Sequence, residues 1–363
     1  MADKQLKPFW VQLSISTLML LLITKWGNAK PQVPCYFVFG DSFSDNGNNN
    51  KLNTLAKVNY RPYGIDFPKG PTGRFSNGRN MQDFIVKYLG FEDYIPPFAK
   101  AKGKRILKGV NYASGSAGIR DESGEKLGHR VSLNQQLRNH KTIISRINSK
   151  LGDSSAKKLL SQCIYSLQIG CNDYFNNYFQ PEFYNTSSQY TPKQYAMVLI
   201  DQYSEQIKSL YDTGARKFAL YGVGLIGCIP SVIKVYGTNN ESLCVDRLNI
   251  AASIFDERLK LLVQQLNANL TEAKFTFINP TPNTLEIVLS GFTMLRQPCC
   301  KIGGGGGELC VRNSKPCRFR SRYVFWDGVH TTEAWNRLTA RIAFRTHSPT
   351  NAFPFNIRKL AKQ

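Results

Sequence analysis

Acid and histidine are the scarce residues of this chain. Its 363 residues include 25 acidic side chains against 47 lysines and arginines, a formal net charge of +22, and only four histidines. So few acids exclude an acidic solvating chain and raise anionic neighbours as candidate partners: nucleic acid, a membrane surface or an acidic polysaccharide. Beyond residue 29 no stretch offers 18 consecutive apolar residues, so nothing there reads as a spanning helix and a soluble mature protein is expected. Internal repeats and Pro/Ser-rich linkers are missing, so residues 30–363 read as one domain. The run Gly303 to Gly307 has no Lys-Ser/Thr behind it and is no P-loop. Gly-x-Ser-x-Gly is absent too, which argues against a nucleophile on a strand-to-helix elbow. What is present is globular: 42% apolar and 12% aromatic residues exclude a disordered chain.

The first residues speak about compartment. Lys4 and Lys7 precede the apolar run Leu13 to Thr24, which is too short to span a bilayer, and Gly27-Asn28-Ala29 supplies small residues for cleavage. Residues 1–29 are expected to be a secretory signal peptide; a buried N-terminal helix is the other reading. Sequons at Asn185, Asn240 and Asn269 agree with export as glycosylation sites. Nine cysteines follow the leader. Cys299, Cys300, Cys310 and Cys317 gather around the glycine run, and Cys228 and Cys244 flank another loop. Disulfides suit them better than zinc, because Cys299 and Cys300 are adjacent, a poor spacing for two ligands of one tetrahedral ion. Cys163 reads as a buried small residue, and the pairing stays open.

Short apolar runs at Cys35 to Phe39, Ile164 to Ile169, Lys217 to Tyr221 and Lys274 to Ile278 read as buried strands. Helical periods lie between them: Ile200, Tyr203, Ile207 and Leu210 on one face, and Leu248, Ala252, Phe255, Leu259, Leu262, Leu266 and Leu270 on another. A further helix is expected from near Thr332 towards Phe344. Alternating β and α elements imply a parallel sheet covered on both faces, with loops and short helices over one end from residues 45–130. In such sheets ligands bind beyond the carboxyl ends of the strands.

Four segments carry chemistry. Phe39-Gly40-Asp41-Ser42 puts a hydroxyl straight after the first strand, where a base could activate it, although a Ser there also serves as a helix cap. Asp327-Gly328-Val329-His330 spaces a carboxylate to fix the imidazole tautomer, or is a cap beside an exposed ring. His129, His140 and His347 lack such a partner and read as surface residues. Gly170-Cys171-Asn172-Asp173 ends a strand with an amide able to donate to an oxyanion, or forms an Asx turn. The small residues Gly109 to Gly118 allow backbone to approach a ligand closely. A rival is Gly222-x-Gly224-x-x-Gly227, which matches a dinucleotide fingerprint by letters, but Pro230 and Tyr236 to Asn240 leave no room for its helix.

Together the blocks FVFGDSFSDNGNNN (Phe37 to Asn50), GVNYASGSAGI (Gly109 to Ile119), IGCNDYF (Ile169 to Phe175) and YVFWDGVHTTEAWN (Tyr323 to Asn336) resemble the GDSL (SGNH) hydrolase family, in its plant secreted esterase/lipase branch. The resemblance covers essentially the whole mature chain. It implies an α/β, three-layer α/β/α sandwich with a central parallel sheet, the flavodoxin-like SGNH hydrolase fold. It implies Ser42 as nucleophile, His330 as base, Asp327 as its orienting partner, and an oxyanion hole from the Ser42 N–H, Gly115 or its neighbour Ser116, and Asn172. Asp45 and Asn48 match the opening block without an assigned role. Departures are Gly115-Ser116 where relatives often read Gly-Gly, Thr331 where Pro usually follows the His, and Ile229-Pro230 in place of a Pro pair.

The expected reaction is hydrolysis of a carboxylic ester (a lipid, an acylated small molecule or an acylated polysaccharide) with no cofactor and no metal. Transfer of the acyl group to another alcohol needs the same site. A reading from a different class is a basic binding module. Lys100, Lys102, Lys104, Arg105, Lys108 and Arg312, Lys315, Arg318, Arg320, Arg322 could dock on anionic cell-wall polysaccharide, or simply form solvated surface. Nucleic acid suits an exported chain without a binding motif less well.

Overall fold

Alternation along the strands decides the layering. The computed structural model describes residues 30–237, 244–279, 281–304 and 307–363; the expected leader and Asn240 lie outside them. Strands β1 (Tyr36–Gly40), β2 (Ile164–Gln168), β3 (Lys217–Tyr221) and β4 (Lys274–Ile278) pair in parallel in that order. On the far side of β1, residues 110–112 run beside it, with Val38 N–H donating to Val110 O at 3.0 Å and Tyr112 N–H to Val38 O at 2.7 Å. Counting that segment as second in chain order, the sheet reads 2-1-3-4-5, the flavodoxin-like order. The order reverses beside β1, so the crevice beyond its carboxyl end is the switch point where such folds bind ligands. The pairs β5 (Met294–Pro298) with β6 (Tyr323–Phe325) form a small separate sheet, and β7 (Ala352–Phe353) adds antiparallel to β4.

Both faces of the main sheet are buried, which is why its strands read as continuous apolar runs. Phe37, Phe39, Tyr165, Leu167, Phe218, Leu220, Phe275 and Phe277 share one core. The helices α2 (Leu133–Leu151), α3 (Asp153–Gln162), α4 (Pro192–Asp212) and α6 (Asp246–Asn269) cover that face through Ile143, Leu160, Tyr203, Phe255 and Leu259. Tyr36, Val38, Ile164, Ala219 and Tyr221 point the other way. They meet α1 (Met81–Tyr88), α8 (Glu333–Arg345) and α9 (Ile357–Lys362) through Ile85, Phe344 and Leu360. Two shorter helices, α5 (Pro230–Tyr236) and α7 (Thr284–Leu289), lie outside this frame. The starts are chemically marked: Thr191 and Gln194 form a capping box ahead of Pro192, Asn80 and Asp83 form another, and Thr332 caps α8.

Two sequence expectations need correction. Cys163 is not an unpaired filler: it bonds Cys35. The register Tyr36 opposite Ile164 sets the residues just before the two strands side by side, with Cα atoms 4.8 Å apart. The other pairs are Cys228–Cys244, Cys299–Cys317 and Cys300–Cys310, and Cys171 keeps a buried free thiol. His140 is not on the surface either. It is wholly buried, its ring meets Phe37, Phe39 and Tyr165 edge-on, and Tyr112 Oη lies 3.0 Å from its Nδ1. Burial pushes its pKa down to about 3. Its neighbours in sequence are polar because it sits on the inner face of an amphipathic helix. His129 and His347 are exposed as expected.

Candidate active site

Ser42 leaves the sheet through a turn that only glycine permits. A Cβ on Gly40 would run into the Gln168 carbonyl of β2. Gln136 of α2 grips this glycine from the other side, accepting its N–H at 2.9 Å and donating to its C=O at 2.8 Å. Asp41 then ties the turn, its carboxylate accepting from Phe43 N–H at 3.0 Å and its carbonyl from the Ser44 and Asp45 N–H groups. Burial pushes the Asp41 carboxyl up to about 7. Ser42 stands at the carboxyl end of β1 with 8% of its surface exposed.

The histidine comes from the turn between β6 and α8. Trp326 N–H donates to His330 O at 2.7 Å, and Thr332, which caps α8, donates its N–H to Val324 O. Asp327 curls back into this turn and accepts the N–H groups of Val329 and His330 at 2.8 and 2.6 Å. The same carboxylate lies 2.9 and 3.0 Å from His330 Nδ1. His330 Nε2 is 2.8 Å from Ser42 Oγ, across 288 residues of chain. A ring held this way at Nδ1 carries its proton there and leaves Nε2 to accept one from the hydroxyl. The Phe75 and Phe43 rings flank the imidazole at 4.7 and 5.6 Å.

The expected oxyanion donors differ in how far the protein already uses them. The N–H of Ser42 itself makes no hydrogen bond among the described residues, and neither does that of Ser116. The Gly115 N–H, expected here as an alternative, instead donates to Asp45 Oδ2 at 3.1 Å. Ser116 holds φ at +63°, a left-handed conformation that glycine adopts more cheaply. Asn172 gives one amide hydrogen to Ala117 O at 3.0 Å, while Asn176 holds its oxygen at 2.7 Å. Its orientation is therefore fixed, with the second amide hydrogen left over.

Buried carboxylates lace these segments together. Asp45 accepts from Gly47, Asn48 and Gly115, joining the first block to the second. Asp173 accepts from Ile119, Arg120 and Ser123, joining the second to the third. Asn48 bonds the carbonyls of Asn111 and Ala113, so both formerly unassigned residues of the opening block are scaffolding. The Gly222 to Gly227 loop is filled by the protein itself, since Asp256 accepts the Val223 and Gly224 N–H groups. Among the described residues no cluster of His, Cys, Asp and Glu could hold a metal ion. Asn185 and Asn269 are exposed.

Sequence reasoning missed Tyr63. Its buried hydroxyl donates to Asp327 Oδ2 at 2.6 Å and accepts the Cys310 N–H at 3.0 Å. It lies 264 positions from the carboxylate it holds, so no local spacing could have pointed to it. An apolar cavity of about 430 Å³ opens beside the nucleophile turn, lined by Phe43, Val223, Ile226, Ile229, Val324 and Trp335 among others.

A GDSL-like lipase/acylhydrolase family model matches residues 36–343. Among curated proteins, one GDSL esterase/lipase of Arabidopsis thaliana is 46% identical over 359 residues, 97% of this chain and 98% of its own. A second from the same plant is 48% identical over 340 residues, 92% of this chain and 93% of its own. The chain belongs to the GDSL-like lipase/acylhydrolase family.

Proposed function

We propose that the protein is an exported carboxylic ester hydrolase that works by two-step acyl transfer through Ser42. The observation that carries the reading is the 2.8 Å contact between Ser42 Oγ and His330 Nε2, with Nδ1 engaged by Asp327. His330 takes the hydroxyl proton as Oγ attacks the ester carbonyl. The tetrahedral oxyanion is held by the Ser42 and Ser116 N–H groups and by the second Asn172 amide hydrogen. His330 protonates the departing alcohol; it then takes a proton from a water whose oxygen attacks the acyl carbonyl, and returns that proton to Ser42 Oγ as the acid leaves. The cavity beside Ser42 is apolar, which suits a hydrophobic acyl group. Export is supported by the four disulfides and by the exposed sequons at Asn185 and Asn269.

One assay on a p-nitrophenyl butyrate solution tests the scheme. Ser42→Ala should abolish turnover while circular dichroism stays native. Asn172→Ala should lower kcat by about 10²–10³ with little change in KM. Undiminished turnover by Ser42→Ala removes this serine from the chemistry, and a change confined to KM removes Asn172 from the oxyanion role.

A further inference from the structure

The cavity beside Ser42 has an apolar lip. Leu225 and Leu295 line the cavity yet are 52% and 47% exposed, so they stand at its mouth. Helix α7 forms part of the same wall. Thr284 and Ile287 turn inward and line the cavity, whereas Leu285, Val288 and Leu289 face out, 65%, 64% and 77% exposed. Three aliphatic side chains at i, i+3 and i+4 make one outward face of the helix. Single exposed leucines need no explanation, but a run of them around the mouth of a substrate-sized cavity does.

Beyond the turn after α7 the surface becomes basic. Thr293 N–H donates to Arg322 O, which brings the Arg318 to Arg322 segment alongside the start of β5. Phe319 is 56% exposed there, with the Arg318 and Arg322 guanidinium groups 5.4 and 5.1 Å from its ring centroid. An aliphatic ridge bordered by an aromatic ring and two arginines has the chemistry of a face that enters the headgroup boundary of a lipid layer.

We propose that α7, Leu225, Leu295 and Phe319 dock the protein on lipid assemblies bearing anionic headgroups, so that acyl chains pass from the layer into the cavity. The continuity of the ridge with the cavity mouth argues for aggregated substrate as the occupant; a second copy of the chain seated there would cover the entrance. The flanking arginines and the net charge of +22 argue for anionic lipid. The proposal rests on the ester-hydrolase reading and names the physical form of its substrate.

Docking can be measured without turnover. Ser42→Ala protein is sedimented with phosphatidylcholine vesicles that contain phosphatidylglycerol. It should co-sediment, less so with phosphatidylcholine alone. Adding Leu285→Gln, Val288→Gln and Leu289→Gln together should weaken partition about tenfold or more, since each removes an aliphatic group from the layer. Arg318→Gln with Arg322→Gln should weaken partition on the anionic vesicles and leave that on neutral ones. With Ser42 intact, the triple variant should hydrolyse dissolved p-nitrophenyl acetate at the wild-type rate and a vesicle-embedded long-chain ester about tenfold more slowly. Failure of wild-type protein to sediment, or equal sedimentation of the triple variant, overturns the docking proposal. So does a wild-type dimer that the triple variant breaks while vesicle partition stays unchanged. Absence of acetate hydrolysis by the wild type would instead strike the ester-hydrolase reading and leave the sedimentation result standing.

Discussion

Tyr63 shows how a side chain far from the substrate can set the chemistry. It does not line the apolar cavity, and its hydroxyl bridges Asp327 to the Cys310 backbone. Without it Asp327 Oδ2 keeps only His330 Nδ1 as a partner and the carboxylate is held less firmly against the imidazole. A hydrogen bond to a charged group contributes about 1.5–3 kcal/mol, part of which is regained by rearrangement. Tyr63→Phe should therefore lower kcat about tenfold with KM nearly unchanged, measured on a soluble ester. A rise in KM with kcat intact would show that Tyr63 acts on substrate binding instead. The segments holding Ser42, His330 and Asn172 stood out because each ends a strand or sits in a compact turn pattern, while the roles expected of them came from the family resemblance. Tyr63, Asn176 and Gln136 did not, because each acts through one long-range hydrogen bond that leaves no local signature.

Elements were legible in proportion to their length and period. The four apolar runs are strands β1 to β4, and the leucine-rich period after Cys244 is α6. The segment at 110–112 and strand β7 are too short to carry a pattern, although the first completes the flavodoxin-like order. Disulfide pairing depends on register, which a sequence does not print. The Cys35–Cys163 bond closes a separation of 128 residues and ties β1 to β2 at their amino ends, the opposite end of β1 from the nucleophile turn. Chain-entropy reasoning gives a loop of that size about 5 kcal/mol of stabilisation. Cys35→Ala with Cys163→Ala should lose up to about that amount in urea unfolding. Equal unfolding midpoints for the variant and the parent would mean that the packing of β1 against β2 alone holds this edge.

At the scale of the whole molecule, charge and burial work on different layers. The lysine-rich set at 100–108 leads into Gly109, which packs against the Tyr36 backbone at the amino end of β1, away from Ser42. Arg320 is committed to Asp66 and Arg312 stacks over Tyr60, so the second basic set is partly structural. Inside, burial pushes Asp41 and Asp256 up to about 7 and Asp45 and Asp173 up to about 6, from an ordinary value of 3.8. A carboxyl with a higher pKa folded than unfolded binds more protons in the native state, so its stabilisation is lost as pH rises through the folded value. His140 acts in the opposite sense, but only on the acid side of its ordinary value. The melting temperature should fall as pH rises from about 4 to about 7, the window between the unfolded and folded values of these carboxyls, with His140 offsetting only part of the fall. A flat or rising profile over that range would mean that these carboxyls stay ionised in the folded protein. The central claim is also one of the whole molecule, since it joins a hydroxyl at residue 42 to a base only because the turn between β6 and α8 brings His330 back to the carboxyl end of β1. A p-nitrophenyl phosphonate ester tests it most directly, because its phosphorus is attacked by an activated serine and the adduct does not turn over. Mass spectrometry should find one phosphonyl group per chain, on the peptide holding Ser42, with labelling lost in His330→Ala. Labelling of a different residue, or of Ser42 at an unchanged rate without His330, would contradict the mechanism.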